Sequence, residues 1–254
     1  MATQRAKAEQ DVTQSAQIAS EQFAPPPTPK KKQRWGSHTR YVTGEHKTIS
    51  RGWVHGIESI CLAVWIATAA HKRPALLQFL SGKFLSCAAS GVLHLRPHET
   101  LEAYALWDAL DWICISLSAL SGCILWLPPD WTRPAAFAVF AVAPFIGGFT
   151  WCQAMAYGRK DWPREKRCRA VQSALQVCVL AGCAVAQGLA CFPQRAYACQ
   201  VAVYAVGLLS WVLQDDVPLA WHSPRRWSGH EDFHLCVLVG DLLNLYLLAR
   251  HGKI

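Results

Sequence analysis

Apolar residues are not spread evenly along this chain. Residues 1 to about 50 are polar, and from Val54 onward long apolar stretches alternate with short polar clusters. Seven stretches stand out, at about 54–70, 74–95, 103–127, 135–157, 171–192, 196–213 and 233–249. Each is roughly 17 to 25 residues, enough for a helix to cross the hydrocarbon of a bilayer. The breaks between them carry residues that stop helices: Arg73 with Pro74, Arg96 with Pro97, Pro128 with Pro129, then Pro163, Pro193 and Pro224. The pattern predicts an all-α polytopic membrane protein, with seven transmembrane helices over residues 51–254 and a tail over residues 1–50. The second stretch is the weakest, because Lys83 sits in its middle.

The tail is rich in Gln, Ala, Ser and Lys, contains Pro25, Pro26, Pro27, Thr28 and Pro29, and ends in a basic stretch from Lys30 to Arg40. It has too little apolar area to offset the entropy of ordering itself, so a disordered cytosolic tail is expected. It also lacks an apolar core of signal-peptide type, which leaves targeting to the first span.

Composition sharpens this picture in three ways. The chain is 52% apolar and 17% charged, a balance suited to a membrane rather than to a soluble core. Its eleven cysteines are scattered singly, with no CxxC, which argues against a thiolate zinc knuckle or a disulfide framework and makes them small buried hydrophobes. The net charge of +8 reports basic loops that set orientation, and nucleic acid is not an expected partner. Arg159, Lys160, Arg164, Lys166, Arg167 and Arg169 lie between spans four and five, the segment before span one is also basic, and only Arg133 lies between spans three and four. Keeping both basic segments inside places the N-terminus in the cytosol and the C-terminus outside.

This topology gives the polar residues a depth. Span two reaches the inner face at His94, span three begins there and meets Asp111 about two turns in, and span seven begins there with His230 and His234. Ser90 lies one turn from His94 on the same helix face. Histidines four apart share a face, and at the mouth of a membrane helix they need a metal, a carboxylate or a buried hydrogen bond. Three imidazoles with an open position for water describe a catalytic zinc site. Asp111 would orient the water or accept its proton, and Ser90 would bond the water or a substrate carbonyl. His98 follows Pro97 and is expected in a loop off the His94 face. His38, His46, His71, His222 and His251 fall in the tail, in a loop or at span ends, where solvated histidines are the expectation. His55 opens span one, where a site role and a surface role both fit.

At these positions the chain resembles a known family. Ser90-Gly-Val-Leu-His94 looks like its SxxxH motif, Leu110-Asp-Trp-Ile-Cys-Ile115 looks like its Leu-Asp-(His/Tyr)-x-x-Ile motif, and Gly229 to Gly240 looks like its HxxxH signature and the apolar helix behind it. The family is that of hemolysin III and the adiponectin and progestin receptors, within a superfamily that includes alkaline ceramidases. His55-Gly-Ile57 is similar to the start of its first helix, and the likeness covers about residues 50 to 254. It implies seven helices, zinc held by His94, His230 and His234, and Asp111 and Ser90 at the bound water. Two departures stand out. The acidic residue usually found just before the first-helix histidine is out of register, with Glu45 ten residues upstream of His55 and Glu58 after it. The Thr-Tyr-Thr-Pro-like stretch after the third helix is replaced by Ser121, Gly122 and Cys123. The metal ligands carry over; substrate or receptor specificity does not.

Two functional classes follow. One is a zinc-dependent hydrolase of a lipid amide or ester, with membrane lipid as partner and an acyl chain lying between helices. The other is a receptor or signalling protein in which zinc is a structural clamp. A transporter would need broken helices in paired halves, and only span four, with Pro144, Gly147 and Gly148, offers anything of that kind. A final expectation concerns Lys83, which is costly at mid-bilayer without a partner. Asp241 is on the histidine face of span seven at similar depth, so a buried Lys83–Asp241 ion pair is expected, with Asn244 as a further hydrogen-bond partner.

Overall fold

The computed structural model describes residues 41–43, 47–48, 50–68, 72–191, 194–212, 222 and 228–254. Of the tail expected over residues 1–50, residues 1–40, 44–46 and 49 lie outside them, and with them His38 and His46, as does His71. Among the described residues there are seven helices and no strand: α1 (Trp53–Thr68), α2 (Pro74–Leu95), α3 (Leu101–Cys123), α4 (Pro129–Gly158), α5 (Trp162–Cys191), α6 (Arg195–Val212) and α7 (Gly229–Arg250). Five of them, α2, α3, α4, α5 and α7, are long and apolar enough to cross a membrane, while α1 is a shorter apolar helix of 16 residues and α6 has 18.

Local chemistry explains the helix ends. Pro74 opens α2 where its missing N–H costs nothing. The same helix stops at Arg96, whose extended backbone (φ −77°, ψ 130°) is what a following proline favours. Thr100 caps α3 by accepting a hydrogen bond from the Ala103 amide at 3.1 Å. The largest departure from the hydropathy pattern is α5, which begins nine residues before the expected span. Arg159 and Lys160 form the turn, but the rest of the basic run that charge alone assigns to a loop is helical: the Asp161 carboxylate accepts from the Arg164 amide at 3.3 Å, Pro163 fits the first turn, and Glu165 pairs with Arg169 one turn on at 2.5 Å. Similarly, α4 begins at Pro129 and runs through Pro134 and Pro144.

Helices neighbouring in sequence pack against each other from α1 to α5 and again for α6 with α7; α3 also meets α5, and α7 returns to touch α1. The distribution of side chains is inverted relative to a water-soluble bundle. Phe137, Phe140, Phe145 and Leu189 point outward, with Leu189 85% exposed, while Ser116, Thr150, Gln172, Gln176 and Gln200 are buried. Outside is therefore the apolar solvent, and inside the polar groups find one another. Small residues let the backbones approach. A Cβ on Gly82 of α2 would collide with Ser121 of α3, and one on Gly147 of α4 would meet Ile113.

Lys83 of α2 and Asp241 of α7 lie 2.6 Å apart, both largely shielded. The Tyr204 hydroxyl of α6 donates to the same carboxylate oxygen at 2.7 Å. Gly240 gives that ring its space, since a Cβ there would overlap it. Asn244 is engaged elsewhere: its carbonyl accepts from Trp126 Nε1 at 3.2 Å and from Gln187 Nε2 at 3.1 Å. One turn beyond Asp241, its side chain faces α5 and the end of α3 instead of the ion pair.

Removing either charge of the Lys83–Asp241 pair strands the other in a low-dielectric interior. Lys83→Met alone, or Asp241→Leu alone, should destabilise by about 3 kcal/mol, while the double variant recovers much of that loss. Thermal unfolding in detergent checks this, and a double variant as unstable as the sum of the singles would show that the two groups do not support each other.

Candidate metal centre

Three elements meet at the end of α2. The first is His94, in the last turn of that helix and 6% exposed. The second is the start of α7, which is fixed by a capping box. Ser228 is the N-cap, its amide donates to Glu231 Oε2 at 2.7 Å, and its hydroxyl accepts from the His230 amide at 3.3 Å. The cap sets where α7 begins, and so sets the depth of His230 and His234. The third is the turn before α1, where Gly52 adopts φ +93°. A Cβ at Gly52 would lie 2.7 Å from His94 Cβ, so glycine serves both the left-handed turn and the close approach.

His94, His230 and His234 each direct a ring nitrogen to one place, and these atoms all lie within 4.8 Å of one another. Their rings are mutually tilted, with centroids 5.6 Å apart for His94 and His230, 6.3 Å for His94 and His234, and 4.5 Å for His230 and His234. Among the described residues, the buried Nε2 atoms of His230 and His234 have no hydrogen-bond partner. Buried polar atoms are ordinarily paired. Two orphaned imidazole nitrogens converging with a third are therefore a donor set that fits a metal ion.

The other expected residues are near but play different parts. Asp111 of α3 is buried, its Oδ1 has no hydrogen-bond partner, and it does not join the 4.8 Å group. Ser90, buried one turn before His94, has its side chain against the Asp111 carboxyl. The buried carboxyl is thus tied through Ser90 to the turn before His94, outside the group of three.

Several residues that the hydropathy reading leaves in the tail or on the surface reach this centre. The Tyr41 hydroxyl is 2.5 Å from His94 Nδ1. Lys47, fully buried, donates to the His94 carbonyl at 2.5 Å, and burial, reinforced by Arg51, brings its pKa down to about 8. Thr48 donates to Glu231 Oε1, and Arg51 Nε approaches the same oxygen at 3.5 Å. The segment before α1 therefore packs over the centre. His55 is drawn in as well: its Nε2 lies 2.8 Å from His234 Nδ1. His222 is not a solvated histidine but sits 2.7 Å from Asp232 of α7. His98 occupies the loop after α2, its Nε2 3.2 Å from the Leu93 carbonyl.

A helical membrane protein with a buried three-histidine cluster at one end of its bundle is the class that this fold and site define. The sequence model of the haemolysin-III related family matches residues 43–245, and the chain belongs to that family. No curated protein and no solved structure matches it.

Glu231 holds this end of the molecule together, because one fully buried carboxylate accepts from Ser228, Thr48 and Arg51. Glu231→Ala should cost about 3 kcal/mol by leaving a buried cation unpaired, against about 1 kcal/mol for loss of the cap hydroxyl in Ser228→Ala. Tryptophan fluorescence during thermal unfolding separates the two, and equal midpoints would reduce Glu231 to a cap residue only.

Proposed function

We propose that this protein is a seven-span membrane hydrolase that acts on a lipid amide or ester, with zinc held by His94, His230 and His234. The observation that carries this reading is the pair of buried, unpartnered Nε2 atoms converging with His94. The Asp111 carboxylate waits beside them, also without a partner at Oδ1. Zinc, when bound, supplies Lewis acidity. The chain's own groups do the rest. Asp111 holds and takes up a proton at Oδ1 as general base, Ser90 orients that carboxyl, and the apolar walls of the bundle receive the acyl chain while excluding water from the interior. In this reading α1 and α6 also cross the membrane, and the basic residues from Arg159 to Arg169 keep that end of α4 and α5 in the cytosol. The centre then faces the inner leaflet, and the C-terminus is outside.

A second reading has one observation in its favour. Close backbone approach between α2 and α7 is sparse, yet side chains join them at the histidine trio and at Lys83–Asp241. Zinc would then be a clamp between the two helices in a receptor or signalling protein.

Purified protein should carry about one zinc per trio, and His94→Ala, His230→Ala and His234→Ala should each lose most of it, because three ligands from two helices leave no redundancy. Elemental analysis decides this, and full retention by any one variant removes that histidine from the ligand set. Asp111→Asn should keep zinc while lipid-amide hydrolysis falls about 100-fold or more. Unchanged turnover in that variant, or no chelator-sensitive turnover in the parent, favours the clamp.

A further inference from the structure

Beside the histidine trio lies a second cluster. His55 Nδ1, a Glu58 carboxylate oxygen and Cys87 Sγ fall within 4.8 Å of one another. His55 and Glu58 stand one turn apart on α1, 3.5 Å between Nδ1 and Oε2, and Cys87 comes from α2, its thiol hydrogen-bonded to Glu58. His55 Nδ1 is buried, and Glu58 is the carboxylate it faces, at a distance longer than an ordinary hydrogen bond. By spacing alone, this cluster could hold a cation of its own.

The contact on the other side of His55 decides otherwise. His55 Nε2 is 2.8 Å from His234 Nδ1, with the rings edge to face at 4.1 Å. Two neutral imidazoles in such contact share one proton. If His234 offers the lone pair of Nε2 to the trio's centre, its proton must sit on Nδ1, and His55 Nε2 must accept it. His55 then carries its own proton on Nδ1, the nitrogen that faces Glu58. A cation at that nitrogen would need the reverse arrangement, with His55 Nε2–H donating to His234 Nδ1. That would put the single ring proton of neutral His234 on Nε2, the atom the trio requires.

Resting on the reading of the trio as a metal centre, we infer that Glu58 and His55 are positioning residues: a carboxylate–imidazole relay that fixes the tautomer and ring orientation of His234. The relay occupies the role that a carboxylate or carbonyl commonly plays behind a ligating histidine. Here an extra imidazole is interposed, and the carboxylate comes from the position three residues after His55 rather than before it. Cys87 hydrogen-bonds the same carboxylate, whose Oε2 is the oxygen 3.5 Å from His55 Nδ1.

The test uses the full chain in detergent, stripped of metal and titrated with zinc against a chromophoric chelator. Glu58→Gln and His55→Gln should each weaken zinc binding about tenfold to a hundredfold. Glu58→Asp should recover part of the loss, and Cys87→Ala should change affinity less than twofold. Nitrogen-15 histidine spectra of the zinc-loaded parent, which need no variant, should show His234 protonated at Nδ1. The inference is overturned if both Gln variants bind zinc as tightly as the parent, or if His234 is protonated at Nε2. It is also overturned if cobalt loading gives a thiolate charge-transfer band that Cys87→Ser abolishes, because the cluster would then be a metal site itself. No zinc binding by the parent would remove both the relay and the reading it rests on, whereas parental binding that is lost in His94→Ala but untouched in Glu58→Gln would remove the relay alone.

Discussion

Every polar side chain inside this bundle answers to one constraint: in an apolar medium, a charge or a hydrogen-bonding group without a partner costs several kcal/mol. The partners come from other helices, so satisfying them organises the fold. Lys83 finds Asp241, Gln187 finds Gln200 and Asn244, and Ser116 finds Gln176. Each pairing ties together helices whose outward faces are slippery apolar surface with no preferred register. At the histidine trio two imidazole nitrogens remain without protein partners, as does one oxygen of Asp111. Gln172, Gln176 and Gln194 each leave an amide atom unpaired as well, but at the trio the unpaired nitrogens converge with a third imidazole, an arrangement that fits an ion.

The same logic explains why the segment before α1 is attached to the site. α2 ends and α7 begins at this end of the bundle, exposing backbone carbonyls of one and amides of the other. Lys47 takes up the His94 carbonyl, and Glu231 takes up the Ser228 amide while receiving Thr48 and Arg51. Tyr41 reaches His94 Nδ1 and packs on Tyr104 at 5.1 Å between rings. Solvent is kept from the histidines by residues whose own polar atoms are used up in holding the helix ends.

Much of this was legible in the sequence because membrane helices advertise themselves by length, and because histidines spaced four apart at a span boundary have few places to go. The Lys83–Asp241 contact was legible from depth and helix face together. What was not legible depends on tertiary path. Nothing local marks Tyr41 or Lys47, whose role arises from how a polar stretch folds back over α2. Other residues did carry signals that charge and hydropathy hid. Ser228 and Glu231 form an S-x-x-E cap ahead of an apolar run, Asp161 with Pro163 and Glu165 with Arg169 mark a helix start inside a basic run, and Glu58 is one turn from His55. Asn244 shows the opposite limit. Sharing a helix face with Asp241 was not enough, because one turn along the axis brought different neighbours within reach.

The distribution of the trio between α2 and α7 has a consequence for how the molecule is made. His94 belongs to the second described helix and its two companions to the last one, with more than half of the chain between them. Until the ribosome has delivered α7, the nascent chain holds one imidazole of the trio, too few to retain an ion there with any firmness. Glu231 likewise reaches Thr48 and Arg51 only after this last helix is in place. The centre is therefore completed only once α7 has been made. A chain released before α7 would carry the other apolar helices but neither the three-sided grip on an ion nor the closed end that surrounds it.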